Sequence, residues 1–129
     1  MFGPIDRYRL VKRMTTRNQL LRHLKWTEPK LELMQRWIEN MRALRASPPS
    51  LPPHLPPSLF DMNIGLRDEL RTRFLKSCEI HTRTRRHHRS SDDDLLNRLQ
   101  RAHDATIDYL TELDRHRKWL EETYPLNGT

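Results

Sequence analysis

The side chains that most readily bind a metal come together once in this chain. Cys78 and His81 are three residues apart, so a helix would bring the thiol and the imidazole to one face, where they could share a zinc ion. His87 and His88 follow closely, but they stand among arginines, whose positive charge opposes the binding of a divalent cation. Because the chain has no second cysteine, we predict neither a metal site nor an internal disulfide.

The other acids and bases lack the arrangement of nucleophile, base and orienting group that catalysis requires. Asp92, Asp93 and Asp94 are adjacent in sequence, which does not make an opposed acid–base pair. The remaining histidines are scattered along the chain at His23, His54, His103 and His116. The sequence therefore predicts a protein that is not an enzyme and has no catalytic residues or cofactors.

The strongest candidate for a binding function is a group of basic residues between residues 71 and 89. Arginine guanidinium groups hold phosphates or carboxylates through two parallel hydrogen bonds. Three aspartates follow this group, and Ser91 with Asp94 resembles a capping box at a helix start. A solvated basic turn is the alternative interpretation. The predicted partner- or phosphate-binding residues are Arg71, Arg73, Lys76, Arg83, Arg85, Arg86 and Arg89.

Helices must position these residues, since apolar residues recur at a spacing near 3.6 and nowhere alternate. The first helix is predicted over about residues 5–26, with a break near residues 15–16. A second helix is predicted to open at Thr27, with Pro29 tolerated in its first turn, and to stop at Ala46.

Two further helices are predicted after a proline-rich segment. The third starts between residues 61 and 63, and Phe74 is expected to organise its packing. Its apolar stripe is Leu66, Leu70, Phe74 and Cys78. The fourth covers about residues 92–124, and its predicted inward residues are Leu95, Leu99, Ala102, Thr106, Leu110, Leu113, Leu120 and Tyr124.

Residues 47–59 contain three Pro-Pro pairs, which forbid helix and sheet and favour an extended polyproline conformation. One interpretation is a ligand for an aromatic-lined groove on another protein. The interpretation that we favour is a stiff crossover strap, in which Leu51, Leu55 and Leu59 lie along the helical core.

These elements predict an all-α fold, a small antiparallel bundle of three to four helices with a Pro-rich crossover strap. The chain is short enough for one domain with a modest core. Its predicted segments are a basic N-terminal helix or targeting segment (1–27), an amphipathic helix (28–46), the strap (47–60), a helical pair (61–124) and a tail (125–129).

Charge is unevenly distributed over a chain of net charge +7. Residues 1–27 hold seven Lys/Arg against one acid, whereas residues 92–129 hold five against nine. The basic N-terminus, with Ile5, Tyr8 and Val11 on one helical face, is typical of mitochondrial targeting, and a basic surface helix of the mature protein is the alternative. No apolar run approaches the roughly 20 residues of a membrane span.

Two stretches resemble the LYR-motif superfamily of small, basic, three-helix mitochondrial proteins. Residues 65–74, Gly-Leu-Arg-Asp-Glu-Leu-Arg-Thr-Arg-Phe, are similar to the second helix of that family, in which an Arg-rich helix ends near a Phe. Residues 109–128 are similar to the last helix and glycine-containing tail of the LYR-like assembly factor for the catalytic head of mitochondrial ATP synthase. The segment most similar to the Leu-Tyr-Arg signature of the family is Arg7-Tyr8-Arg9. Tyr8, Arg9 and Arg13 are therefore the candidate remnant of that motif.

The resemblance implies a non-catalytic assembly or accessory factor of the mitochondrial matrix, which acts by protein–protein binding in the assembly of ATP synthase or a respiratory complex. The implied partner is a protein with an acidic surface, an assembly chaperone or an acyl carrier protein. An alternative hypothesis is a structural subunit of a mitochondrial ribosome or other ribonucleoprotein, which contacts RNA phosphates through its arginines. A third hypothesis is an interaction protein whose last helix forms a coiled coil.

Overall fold

A computed structural model of the chain describes three α-helices: α1 (Pro4–Ala46), α2 (Ser58–Arg83) and α3 (Ser90–Thr123). Within the described ranges there is no strand, and the predicted all-α bundle with a Pro-rich crossover is confirmed. The backbone is described for residues 4–56, 58–84 and 90–125, and the side chains for residues 16–56, 59–61, 63–84 and 90–125.

Helix α1 is one continuous helix of 43 residues, so the predicted division into two helices is wrong. Thr27 does not act as an N-cap, because its hydroxyl donates a 2.8 Å hydrogen bond to the carbonyl of His23, one turn earlier in the same helix. Thr16, at the other predicted break, is fully buried, and its hydroxyl donates a 2.8 Å hydrogen bond to the hydroxyl of Thr84, just after α2.

The physical reason for the continuity of α1 is a buried stripe that resumes one helical turn beyond Pro29. The buried residues of this helix are Thr16, Leu20, His23, Leu24, Thr27, Met34, Ile38 and Met41. A proline inside a helix removes one backbone hydrogen bond and clashes with the preceding turn, at a cost of about 3 kcal/mol. Burial of the stripe along the whole helix outweighs that local cost.

Helix α3 runs parallel to α1, and α2 runs antiparallel to both. Two arginine–glutamate pairs fix the register of the parallel pair. Arg98 of α3 holds Glu28 of α1 through bonds of 2.5 and 3.0 Å, and Arg42 of α1 holds Glu112 of α3 through bonds of 2.6 and 2.8 Å. Both pairs join residues 70 positions apart in sequence, so α1 and α3 keep one register over this length.

The half of the bundle next to the strap, which we call the strap end (residues 34–46, 59–70 and 107–124), contains the main apolar core. Its buried members come from all three helices: Met34, Ile38, Met41, Leu59, Leu70, Leu110 and Leu113. Side chains of this size contribute about 1.5–3 kcal/mol each when they are fully buried. The strap end therefore supplies most of the hydrophobic stabilisation of the fold.

The opposite half, the corner end (residues 16–27, 73–84 and 90–106), buries many polar side chains. They are Thr16, His23, Thr27, Ser77, Asp92 and Thr106. Ser77 and Thr106 donate to carbonyls one turn earlier in their own helices, at 2.9 and 2.6 Å. Such bonds satisfy the hydroxyl groups but add no contact between helices. The corner end is therefore held together by less apolar packing than the strap end.

The apolar stripe predicted for α2 is only partly correct. Leu70 is buried, but Leu66, Phe74 and Cys78 are half-buried. The buried positions of α2 also include Asn63 and Ser77, which a search for apolar residues overlooks. For α3 the predicted inward face is confirmed at its centre, where Leu99, Ala102, Thr106, Leu110 and Leu113 are buried.

The strap follows α1 at the point where Pro48 and Pro49 prevent further helix formation. Tyr124, just after α3, donates its hydroxyl hydrogen to the carbonyl of Pro49 and so ties the strap to the end of the bundle. Leu55 packs against the core and Leu59 is buried within it, as predicted. Leu51 is 75% exposed, so the prediction that it lies on the core is wrong.

Candidate functional site

The predicted basic residues of α2 lie on more than one side of the helix. Arg71 and Lys76 are exposed, whereas Arg73 is half-buried. Arg73 bonds Glu69 at 2.8 Å and lies with its guanidinium carbon 4.3 Å from the centre of the Trp26 ring of α1. Arg83 is exposed and pairs with Glu79 at 3.4 Å. Arg85, Arg86 and Arg89 lie outside the described residues.

Arg73 and Lys76 come together with basic residues of α1 that sequence reasoning did not select. The ammonium of Lys30 lies 5.6 Å from the Trp26 ring, and Arg22 lies one turn before that tryptophan. A cation over an aromatic ring is attracted by the negative potential of the ring face. We call this surface the basic face and define it as Arg22, Trp26, Lys30, Arg73 and Lys76.

His23 lies beneath the basic face and is only 7% exposed. Burial lowers the pKa of His23 below its usual 6.5, and the nearby charges of Arg73, Lys76 and Arg22 lower this pKa further. Its Nδ1 atom is buried and has no hydrogen-bond partner among the described residues. His23 is therefore a neutral group at pH 7, and the positive charge of the basic face comes from arginine and lysine alone.

Replacement of His23 by leucine is expected to remove part of the acid sensitivity of the fold. The unfolded chain binds a proton at His23 below about pH 6.5, whereas the folded chain resists it, so stability falls as pH drops through that value towards the lower folded pKa. Urea unfolding at pH 7.5 and pH 5.0 measures the effect. We expect the free energy of unfolding of the wild-type protein to fall more than that of His23→Leu between the two pH values.

His54→Gln is the matched control for this measurement, because His54 is exposed on the strap. Its loss of stability between pH 7.5 and pH 5.0 should equal that of the wild-type protein. If His23→Leu also behaves as the wild-type protein does, His23 is not held neutral in the folded state.

At the corner between α2 and α3, His81 and Asp93 are joined. The Nε2 atom of His81 lies 2.6 Å from a carboxylate oxygen of Asp93. The histidine is near the C-terminus of α2 and the aspartate is in the first turn of α3, which suits the dipoles of both helices. Helix α3 already begins at Ser90, so Ser91 lies inside its first turn and is not the predicted cap.

The other predicted residues have different surroundings. Phe74 stacks on His103 of α3, with ring centres 4.6 Å apart, and lies outside the main apolar core because its ring packs against an imidazole at the edge of the bundle. Tyr8, Arg9 and Arg13 belong to α1, but their side chains lie outside the described residues. Neither the acyl-carrier-protein prediction nor the motif remnant is tested by the structure.

Sequence reasoning missed Arg22, Trp26 and Lys30 because they are far from α2 in the chain. The signal that could have found them is the strap. A proline-rich crossover between two long helices makes them antiparallel neighbours, so residues at similar distances on either side of it lie at the same level. Trp26 and Arg73 are such a pair.

Within the part of the chain that the structure describes, no three His, Cys, Asp or Glu side chains lie close enough to hold a metal ion. Over the same residues, no helix has a stretch long and apolar enough to cross a bilayer. Comparison with protein-family models, with curated proteins and with solved structures finds no match for this chain.

Proposed function

We propose that the protein is a non-catalytic accessory or assembly factor of the mitochondrial matrix, which binds an acidic surface of a protein partner through its basic face. The observation that carries this proposal is that Lys30 and Arg73 lie over the Trp26 ring, while Arg22, Arg73 and Lys76 surround the neighbouring His23. The resemblance to the LYR-motif superfamily supports the matrix location and a role in assembling ATP synthase or a respiratory complex.

The chemistry of the basic face favours a carboxylate-bearing protein surface. Arg22 and Lys76 are exposed, so their charges are available to an incoming partner. Charge complementarity of this kind accelerates association and fixes orientation, while apolar contacts supply most of the affinity.

A ribonucleoprotein subunit that contacts RNA is the second candidate, because the structure adds an aromatic residue to the basic surface. Single-stranded RNA is bound by cationic grooves in which aromatic rings stack on bases. Arg73 already covers Trp26, however, and Phe74 is stacked on His103. The occupation of both rings by the protein's own side chains favours the protein partner over RNA.

Purification of the tagged full-length chain from mitochondria at about 0.5 M salt tests the proposal. Binding to RNA phosphates weakens steeply with salt. For each phosphate contacted, a tenfold rise in salt concentration lowers the logarithm of the binding constant by about 0.7–0.9. We expect a protein partner to remain bound after ribonuclease treatment. We also expect Arg22→Glu/Lys76→Glu to lower its recovery at least about tenfold, since two favourable charge contacts become repulsive.

The control is Arg101→Glu/Arg115→Glu, which makes the same change of net charge at two exposed positions of α3. This variant should retain the partner. If ribosomal RNA remains bound and no protein partner does, the RNA hypothesis replaces ours. A cytosolic location of the chain would overturn both.

A further inference from the structure

The strap end carries a second surface, which the basic face does not include. An apolar cavity of about 320 Å³ lies between the strap and the end of α3, with Pro52, Pro53, Leu55, Phe60, Leu120 and Tyr124 in its wall. The bond from Tyr124 to the Pro49 carbonyl fixes one side of this wall to the strap. A cavity of this size accommodates a large apolar side chain, and its walls are held in place by the bundle.

A polar cavity of about 400 Å³ adjoins the apolar one, and Phe60 lines both. Asn63 lies in its wall at 4% exposure and donates from its amide nitrogen to the Leu110 carbonyl at 3.1 Å and to Asp114 at 2.7 Å. These two bonds fix the orientation of the amide. Its oxygen, Oδ1, is buried and has no donor among the described residues. The cavity wall is therefore rigid at Asn63, whose amide oxygen is enclosed by the protein.

The charged side chains around the two cavities favour a positively charged ligand. Arg67 is already engaged by Asp114 at 3.8 Å, whereas Asp61 and Asp68 have no hydrogen-bond or ion-pair partner within the described part of the chain. Glu121 lines the apolar cavity, and Arg117 is the one further cation in the wall. The groove therefore has a surplus of carboxylates on a chain whose net charge is +7.

Exposed apolar residues border the same groove. Ile64 is 78% exposed and lines the polar cavity, and Leu51, which precedes Pro52 of the apolar wall, is 75% exposed. Large continuous apolar patches mark protein–protein contact sites, and these two side chains extend the apolar surface of the cavities. Three features thus lie side by side: an apolar cavity, a carboxylate-rich cavity and an apolar rim.

We propose that this groove, joined at Phe60, binds a segment of a partner protein in which a large apolar residue is followed closely by an arginine or lysine. The apolar side chain occupies the cavity between the prolines and Leu120. The basic side chain reaches the exposed carboxylates of Asp61 and Asp68. The proposal concerns a different surface from the basic face and does not depend on the function proposed above.

Four synthetic hexapeptides of one backbone sequence test the proposal. They carry Phe or Ser at one position and Arg or Glu two positions later, and their binding to the full-length protein is followed by two-dimensional NMR. We expect the Phe/Arg peptide to bind at least about tenfold more tightly than the Phe/Glu and Ser/Arg peptides. The shifted resonances should be those of Ile64, Asp68 and Leu120.

Two variants locate the contact. Asp61→Asn/Asp68→Asn should reduce the preference for Arg over Glu to about twofold or less, since the attracting carboxylates are gone. Ile64→Ser should weaken binding of the Phe/Arg peptide. Leu75→Ser, at another exposed apolar position of α2, should leave the affinity of this peptide unchanged. All of these residues are exposed, so the fold is expected to survive.

Equal binding of the Phe/Arg and Phe/Glu peptides, or no binding by any of the four, would overturn the proposal. A concentration-dependent dimer that Ile64→Ser dissociates, measured by sedimentation, would overturn it as well, because the groove would then be filled by a second copy of this chain. Resonance shifts confined to the basic face would also overturn the proposal, because the peptide would then bind there and not in the groove.

Discussion

Replacement of Ile38 by alanine is expected to lower the free energy of unfolding by about 3 kcal/mol, within the range of 2–5 kcal/mol for such core truncations. Ile38 has no exposed surface and lies at the centre of the strap-end core, among Met34, Met41 and Leu110. The loss combines the transfer free energy of the deleted methyl groups with the cavity that remains. Urea unfolding followed by both tryptophan fluorescence and circular dichroism measures it.

Leu75→Ala is the matched control for Ile38→Ala, because Leu75 is a large apolar residue at 64% exposure. It should change the free energy of unfolding by no more than about 0.5 kcal/mol. A domain of this size has about 5–15 kcal/mol of stability in total, so the loss at Ile38 is a large fraction of it. A loss below about 1 kcal/mol would show that the strap-end core does not hold the bundle together.

A disulfide between positions 16 and 84 is expected to stabilise the oxidised protein by up to roughly 4 kcal/mol. The hydroxyl oxygens of Thr16 and Thr84 are 2.8 Å apart, and the two residues are 68 positions apart in sequence. Sulfur atoms in their place need to approach to about 2.05 Å. The variant is Thr16→Cys/Thr84→Cys with Cys78→Ser, which removes the native thiol. Closure of such a long loop restricts the unfolded chain strongly.

The same variant in reductant is the control, since it contains every substitution and lacks only the bond. Mass spectrometry establishes whether the disulfide forms, and thermal unfolding of the oxidised and reduced protein gives the difference. Because the corner end has less apolar packing between its helices than the strap end, we also expect slower hydrogen exchange in residues 73–84 and 90–102 after oxidation. Failure of the disulfide to form would mean that this end is not closed in the native state.

The sequence predicts the helical class, the strap and the central inward face of α3, because apolar spacing and paired prolines are local signals. It does not predict the continuity of α1. There, a local signal at Thr27 and Pro29 conflicts with a buried stripe that becomes visible only when the spacing from Leu20 to Met41 is followed across the proline. Packing over the full length of the helix decides such a conflict.

The candidate site is predictable only in part for the same reason. Arg73 and Lys76 are recognisable from charge, but Trp26 joins them from a distant part of the chain. The repeated acids Asp104, Asp108 and Glu112 suggest a solvated helix face. Glu112 instead bonds both Arg42 and His116, and the bond to Arg42 lowers its pKa to about 2. Contacts between helices far apart in sequence leave no trace in local spacing.

The parallel pairing of α1 and α3 has a consequence for a chain that emerges from the ribosome from its N-terminus onwards. Arg42 is synthesised 70 residues before Glu112, the residue that holds it. Synthesis proceeds at about 5–20 residues per second, so roughly 4–14 s separate the synthesis of Arg42 from that of Glu112. Ile38 and Met41 remain without the α3 part of their core during that interval. The longest helix of the protein is thus the one whose apolar face remains longest without its partner during synthesis.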